Sequence, residues 1–510
     1  MSATYPIMGS VRESISQAQA NVGTIPSLIQ GGMGVAVSGW RLARAVSRAG
    51  QLGVVSGTAI GVVLARRLQD GDPGGHLRRA LAQFPNREVA DAIIKRYLRP
   101  EARKPGAPYR AVPVPRWRST RQFLELTVAA SFAEVLLAKE GHVGIVGINL
   151  LEKIQIPTLP ALFGAMLAGV DWVLMGAGIP VHIPAVLDDL AQHLPTSLPL
   201  TVSGAGPSDD YRVHFDPRPI TGELCSRLKR PRFLAIVSSH VLATHLARSE
   251  AGRPCGFVVE APVAGGHNAP PRGRLSLSDT GEPVYGPRDA VDLGQLRDLG
   301  LPFWLAGGYG SPAKLQEALA QGASGVQVGS AFALCEESGL EPGLKREARQ
   351  QVLAQTLSIR TDPLASPTGY PFKVAQLAGT AADPATAAAR QRVCDLGYLA
   401  APYRRENGTL GYRCPSEPED DYTAKGGDLA ATAGRLCLCN GLLAAVGLPQ
   451  LHAGTGIEPP LLTLGDEVGK VLSALSPDAR PYHARDVVDY IMAGQETAVA
   501  GAAAAPAAWR

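Results

Sequence analysis

Residues Leu301–Glu337 read LPFWLAGGYGSPAKLQEALAQGASGVQVGSAFALCEE. A short apolar run ends in a Gly-Gly turn, an amphipathic stretch follows, and a second apolar run ends in a Gly-Ser turn. This is strand, turn, helix, strand, turn, the unit of a parallel α/β fold. Two successive strand ends free of bulky side chains present sets of backbone N–H groups, and N–H groups at helix starts stabilise an anion. In a barrel the loops after the last two strands commonly hold a phosphate in this way. Gly307, Gly308, Gly329 and Ser330 are therefore expected to form a phosphate cradle.

The same rhythm recurs upstream in Pro26 to Gly57, Val143 to Leu174 and Phe233 to Glu260. An open doubly wound sheet also has such units, but glycine clusters after many successive strands favour a closed (β/α)8 TIM barrel. The barrel is expected over residues 20–338. A helical, charged stretch over about 60–140, with HLRRALAQF, REVADAIIKRYL and the proline-rich KPGAPYRAVPVPRW, is an insertion between early strands. Residues 268–293 alternate around the turn-forming TGE and predict a hairpin flap over the barrel mouth. From 339 to 510 the rhythm gives way to a mostly helical extension bearing cysteines, with an Ala-rich tail beyond Thr497 expected to fray.

With 510 residues, of which 45% are hydrophobic and 18% charged, the chain has room for one barrel of roughly 250 to 350 residues and an added region. Its 49 basic and 45 acidic side chains are interspersed, which argues against nucleic acid or an anionic membrane as partner. No stretch approaches the ~18 apolar residues of a membrane span, and MSATYPIMGSVRESISQ has no leader pattern, so a cytoplasmic protein is expected. Seven cysteines, few and odd in number, do not suggest a disulfide framework, and the sequon at Asn407 is then a chance match.

The stretch AGGYGSPAKLQEALAQGASGVQVGSAF resembles the phosphate-binding half of the nitronate monooxygenases (2-nitropropane dioxygenases) and of the related FMN-dependent enoyl-ACP reductases. Ser330 stands where threonine is usual, which keeps the hydroxyl. PSLIQGGMGVAVSGWRLARAVSRAGQLGVVSG is similar to the first two strands of that family. The resemblance implies FMN as cofactor, with Gly32, Met33 and Gly34 facing the flavin ring, Ser56 at the second strand end and Asn149 bonding the flavin. Gly176 and Gly204 continue the run of strand-end glycines.

GFVVEAPVAGGHNAPPRG resembles the family's Glu-Ala-x-Gly-Gly-His motif, in which the histidine is a general base or orients substrate. His267 is the implied base, and Glu260 the strand-end carboxylate that would orient it. Pro262 and Val263 are additional to the motif, and Pro270 and Pro271 follow it. His240, after the strand FLAIVSS, is a further pocket candidate, although its spacing from His245 does not suit a zinc pair.

Cys394, Cys414, Cys437 and Cys439 fall in the extension. Four thiolates can hold zinc or an iron–sulfur cluster, but their spacings lack a Cys-x-x-Cys pair, and buried packing thiols are the plainer reading.

The resemblance covers most of residues 20–335. It implies an FMN-dependent oxidoreductase similar to nitronate monooxygenase, acting on a small substrate at the barrel mouth. The helical insertion and long extension are more like the trans-acting enoyl reductases of polyketide and polyunsaturated fatty acid synthases. An NAD(P)H-dependent reductase of a carrier-bound enoyl thioester, with an acyl carrier protein as partner, therefore stays open. So do a homo-oligomeric state and a non-catalytic or metal-carrying scaffold.

Overall fold

The computed structural model describes residues 25–499 apart from 105, 223–225, 453 and 455. The start of the chain, where a leader was sought, lies outside the described residues, as does almost all of the Ala-rich tail. Ten strands run through the first part of the chain: β1 (Leu28–Gln30), β2 (Gly53–Ser56), β3 (Val146–Leu151), β4 (Trp172–Gly176), β5 (Thr196–Pro199), β6 (Arg212–Phe215), β7 (Arg232–Val237), β8 (Gly256–Glu260), β9 (Phe303–Ala306) and β10 (Gly325–Val328). Eight of them form one parallel sheet in the order β1-β10-β9-β8-β7-β4-β3-β2. An Ile29–Leu52 bridge joins the two ends, with Gln30 N donating to Leu52 O at 3.0 Å and Leu52 N to Leu28 O at 3.1 Å. The sheet thus closes into the expected TIM barrel.

Strand alternation divides the apolar residues in two. Ile29, Val54, Trp172, Leu174, Leu234, Val258 and Trp304 point inward and form a plug of their own. Trp172 and Trp304 meet edge to face at 6.2 Å, and the Trp304 indole N–H donates to Pro26 O at 2.7 Å. Truncating a fully buried tryptophan such as Trp304 to alanine would cost about 3 to 5 kcal/mol. The opposite strand faces pack against the ring of helices in a second, larger core.

One departure concerns the strands. The run around Gly204 is not a barrel strand: β5 pairs only with β6, antiparallel, and the barrel passes from β4 to β7. Gly204 lies exposed in the loop that joins this pair. Between β2 and β3 the expected helices are present, at Ile60–Gln69, His76–Leu81 and Arg87–Tyr97. The last two have built starts, with Asp72 accepting from Leu77 N and Arg78 N, and Asn86 from Val89 N. The longest helix of the stretch, Arg121–Lys139, packs on helices Thr158–Leu167 and Trp40–Arg48 and so belongs to the outer ring of the barrel.

The extension holds helices, chiefly Pro342–Leu353, Leu438–Ala445, Val468–Leu475 and Ala484–Val499, and three antiparallel pairs. One pair is β11 (Ser358–Asp362) with β12 (Phe372–Gln376). It is joined to the barrel end by an antiparallel bridge between His267 and Phe372, with Lys373 N donating to Gly266 O at 2.8 Å and Asn268 N to Pro371 O at 2.9 Å. The Lys373 ammonium, only 2% exposed, pairs with Asp466 at 2.7 Å. Helix Ala484–Val499 returns to the barrel side, where Gln495 donates to Ser27 Oγ at 2.9 Å. Residues 268–293 do form a hairpin turn, with Leu277 opposite Pro283. None of them lines the central cavity, so the roof of the barrel is the extension and not this flap.

Candidate active site

A cavity of about 260 Å³ opens at the C-terminal ends of the barrel strands and continues beneath the extension. Its floor begins with the loop after β1. Gln30, fully buried, accepts from Val54 N at 3.0 Å and donates to Ser38 Oγ at 2.8 Å. Ser38 Oγ in turn accepts from Met33 N at 2.9 Å and donates to Gly31 O at 2.9 Å. These bonds fix the curve of Gly31 to Val37, so that Gly32, Met33 and Gly34 line the cavity.

Asn149 stands at the end of β3 and donates to Gly32 O at 3.2 Å. A Cβ on Gly32 would come 2.2 Å from the Asn149 Cβ, so the neighbouring side chain alone already requires glycine there. Asn149 Oδ1 is buried without a partner, as is Oε1 of Gln327 in β10, which also lines the cavity. Unsatisfied acceptors of this kind are costly unless a ligand donor reaches them. Gly176 also lines the cavity, whereas Ser56, buried beneath Gly34, Gly204 and His240 do not. His240 begins the helix that follows β7, where its Nδ1 accepts from Asp292 N at 3.2 Å.

The two glycine turns lie together on the far wall. Gly307 and Gly308 have φ of +85° and +80°, a left-handed conformation that disfavours any side chain. A Cβ at Gly329 would meet only the Met33 side chain, with Sδ at 3.6 Å and Cγ at 3.9 Å, which leaves the backbone approachable. Ser330 and Ala331 open the turn Ser330–Ala333, so their N–H groups have no acceptor within it. Glycine turns, open N–H groups and two partnerless acceptors fit FMN: Gly308, Gly329 and Ser330 would hold the phosphate, and Asn149 and Gln327 would meet donors on the ring.

His267 and Glu260 both line the cavity. The expected orientation of the histidine by Glu260 is not what the structure holds, because β8 ends at Glu260 and Pro262 to Gly266 carry the chain away before His267. The imidazole is positioned instead by the extension. Its Nε2 lies 2.7 Å from Ser366 Oγ, and its ring meets Phe372 edge to face at 4.9 Å. Burial, reinforced by the Lys153 charge, holds His267 well below the usual imidazole range, so the ring is neutral at cellular pH. Burial pushes the Glu260 carboxyl up to about 7.

Sequence reading missed Ser366, Gly465 and the apolar side chains of the extension that face the barrel, among them Tyr398, Leu399 and Leu442. A serine and a glycine in irregular loops carry no periodic signal. The four extension cysteines surround one small void, and Cys439 also reaches the main cavity. Among the described residues no three His, Cys, Asp or Glu side chains come together as a metal site. Cys394 and Cys414 are hydrogen-bonded to each other beside that void, and the four are free thiols here. Among the described residues no helix is long and apolar enough to cross a membrane.

A closed parallel barrel with two glycine turns after its last two strands and a cavity at the C-terminal ends of its strands has the architecture of the TIM-barrel enzymes. Residues 218–362 match the nitronate monooxygenase family model. The matched segment holds the barrel strands β7 to β10 and both glycine turns, so the likeness to that family falls on the cradle side of the barrel.

Among solved structures, the chain is similar to nitroalkane oxidase from Streptomyces ansochromogenes, with 16% identity, TM-score 0.46 and 95% of this chain against 99% of that one covered. FabK from Thermotoga maritima gives 15%, 0.44, 95% and 97% in the same order. The enoyl reductase domain of MlnA, from the macrolactin cluster of Bacillus amyloliquefaciens, gives 12%, 0.45, 95% and 97%. These are distant likenesses. No curated protein sequence matches the chain.

Proposed function

We propose that the protein is an FMN-dependent reductase of α,β-unsaturated acyl thioesters, taking its electrons from NAD(P)H. The observation that carries this reading is the chemistry of the cavity wall. Beyond the glycine turns, Leu151, Ile154, Tyr398, Leu399, Leu438 and Leu442 form an apolar compartment. The ionisable side chains on the wall, tyrosines and Cys439 aside, are Glu260, His267 and Glu467, and among the described residues it has no lysine or arginine. Such a wall disfavours a substrate anion and suits a neutral acyl chain.

Bound in the cradle, FMN would supply the hydride for the β-carbon. His267 Nε2 is engaged with Ser366, which leaves Nδ1 as the ring nitrogen able to give a proton to the α-carbon. Glu260, kept in its acid form up to about pH 7, offers a hydrogen-bond donor on the same wall. The extension covers part of this space and so limits the access of water. A carrier-bound thioester, and hence an acyl carrier protein as partner, is consistent with an apolar compartment deep enough to take the chain.

A second reading, oxidation of a nitronate with His267 as base, draws on the family match over residues 218–362 and on the neutral imidazole. The two are separated by assaying purified enzyme with NADPH and a short 2-enoyl thioester, and in parallel with a nitronate and dioxygen. Turnover of the thioester is expected. Turnover of the nitronate alone would replace the proposal with the second reading.

A further inference from the structure

Lys153, two residues beyond the end of β3, is tied to His267 through the extension. Its Nζ donates to Thr368 Oγ1 at 3.4 Å, Thr368 Oγ1 lies 2.8 Å from Ser366 Oγ, and Ser366 Oγ lies 2.7 Å from His267 Nε2. Every step can point the same way, ammonium to threonine, threonine to serine, serine to imidazole. The ammonium also sits 3.6 Å from the centre of the Tyr370 ring, on the loop that carries both hydroxyls. We propose that Lys153 lends a proton to His267 through Thr368 and Ser366 when the imidazole protonates the substrate.

The step rests on the reading of His267 as proton donor in enoyl reduction, and it balances as follows. As the Nδ1–H bond breaks and the Cα–H bond forms, Ser366 gives its hydroxyl proton to Nε2. Thr368 refills Ser366, and Lys153 refills Thr368, becoming a neutral amine. The ring never becomes an anion. FMN, reduced by the nicotinamide, would supply the hydride. After product leaves, one proton taken up from solvent returns to Nδ1, and the Nε2 proton passes back through Ser366 and Thr368 to restore the Lys153 ammonium.

The charges around the chain suit this traffic. Burial brings Lys153 down to about 7, opposed by the neighbouring Glu152 carboxylate, so ammonium and amine are both accessible at cellular pH. Lys153 is likewise the charged neighbour that acts on His267. Lys153 is a positioning residue, since it acts through His267 and does not itself line the cavity.

The test compares Lys153→Met, Lys153→Arg and Thr368→Val in the FMN-loaded enzyme, following FMN content, kcat, KM and the His267 titration by histidine-selective ¹⁵N NMR. All three should keep FMN. Lys153→Met should raise the His267 midpoint, because a positive neighbour is gone, and lower kcat about 10²-fold with KM little changed. Lys153→Arg should stay equally slow, because a guanidinium keeps its proton. Thr368→Val should be slow as well, with the ammonium still in place. Wild-type kcat in Lys153→Arg or Thr368→Val would overturn the relay. If the wild type reduces no enoyl thioester, the functional reading fails on its own. The titration still reports on the coupling, and a His267 midpoint unmoved in Lys153→Met would overturn it.

Discussion

The hydroxyl of Ser330, at the second glycine turn of the barrel, accepts a hydrogen bond from the backbone N–H of Gly465 in the extension, at 2.7 Å. The cradle and the roof are therefore one structure. Gly465 is also tightly set, since a Cβ there would come 2.8 Å from Val263 O. Replacing Gly308 or Gly329 by leucine should fill the approach to the cradle N–H groups and release flavin. Gly308→Leu adds backbone strain, because that residue has a φ of +80°. Flavin absorbance after desalting measures this, and full FMN occupancy in both variants would show that the cradle is elsewhere.

His267→Ala should retain FMN, because the imidazole is held by Ser366 and Phe372 and is no part of the glycine turns. Loss of a positioned proton donor typically costs about 10² to 10⁴ in rate. A variant with wild-type kcat would remove His267 from the chemistry.

Glu260 makes stability depend on pH with a definite sign. Its carboxyl rises from an ordinary 4.5 to about 7 on folding, so between those values the folded state binds a proton that the unfolded state has lost. Stability should therefore fall as pH rises through roughly 4.5 to 7, by on the order of 1 kcal/mol per pH unit, and level off above. Glu260→Gln should flatten that slope in urea titrations taken at successive pH values. A slope unchanged by the substitution would mean that the carboxyl is not raised.

Much of this was legible in the sequence, and the rest was hidden for physical reasons. Gly-Gly and Gly-Ser turns after apolar runs announce their backbone directly, and the structure brings Gly307, Gly308, Gly329 and Ser330 to one wall. Gly204 misled because VSGAGP has the composition of a strand end. Only pairing partners distinguish a barrel strand from the two-stranded β5–β6 ribbon. The adjacency of Glu260 and His267 in sequence suggested a pair. The actual partner, Ser366, is 99 residues downstream, in a contact that no local pattern encodes.

Within the roof, the join of β12 to the loop before helix Val468–Leu475 should depend on the pair of the buried Lys373 with the exposed Asp466. Asp466→Asn leaves the ammonium without its counter-charge, and a loss of about 1 to 3 kcal/mol is expected, tempered by the partial exposure of Asp466. Adding Lys373→Met should recover most of it, as a thermal-unfolding double-mutant cycle would show. Additive losses would mean that the two side chains act independently.

The central claim, an FMN barrel whose covered apolar cavity takes a neutral enoyl thioester, is tested most directly by the oxidative half-reaction alone. The holoenzyme is reduced anaerobically with one equivalent of NADPH and mixed with a short 2-enoyl thioester in a stopped-flow instrument while the flavin band is followed. Rapid return of the oxidised band together with one equivalent of saturated thioester is the predicted result. Flavin that stays reduced until dioxygen is admitted, in an enzyme that oxidises a nitronate, would contradict the account.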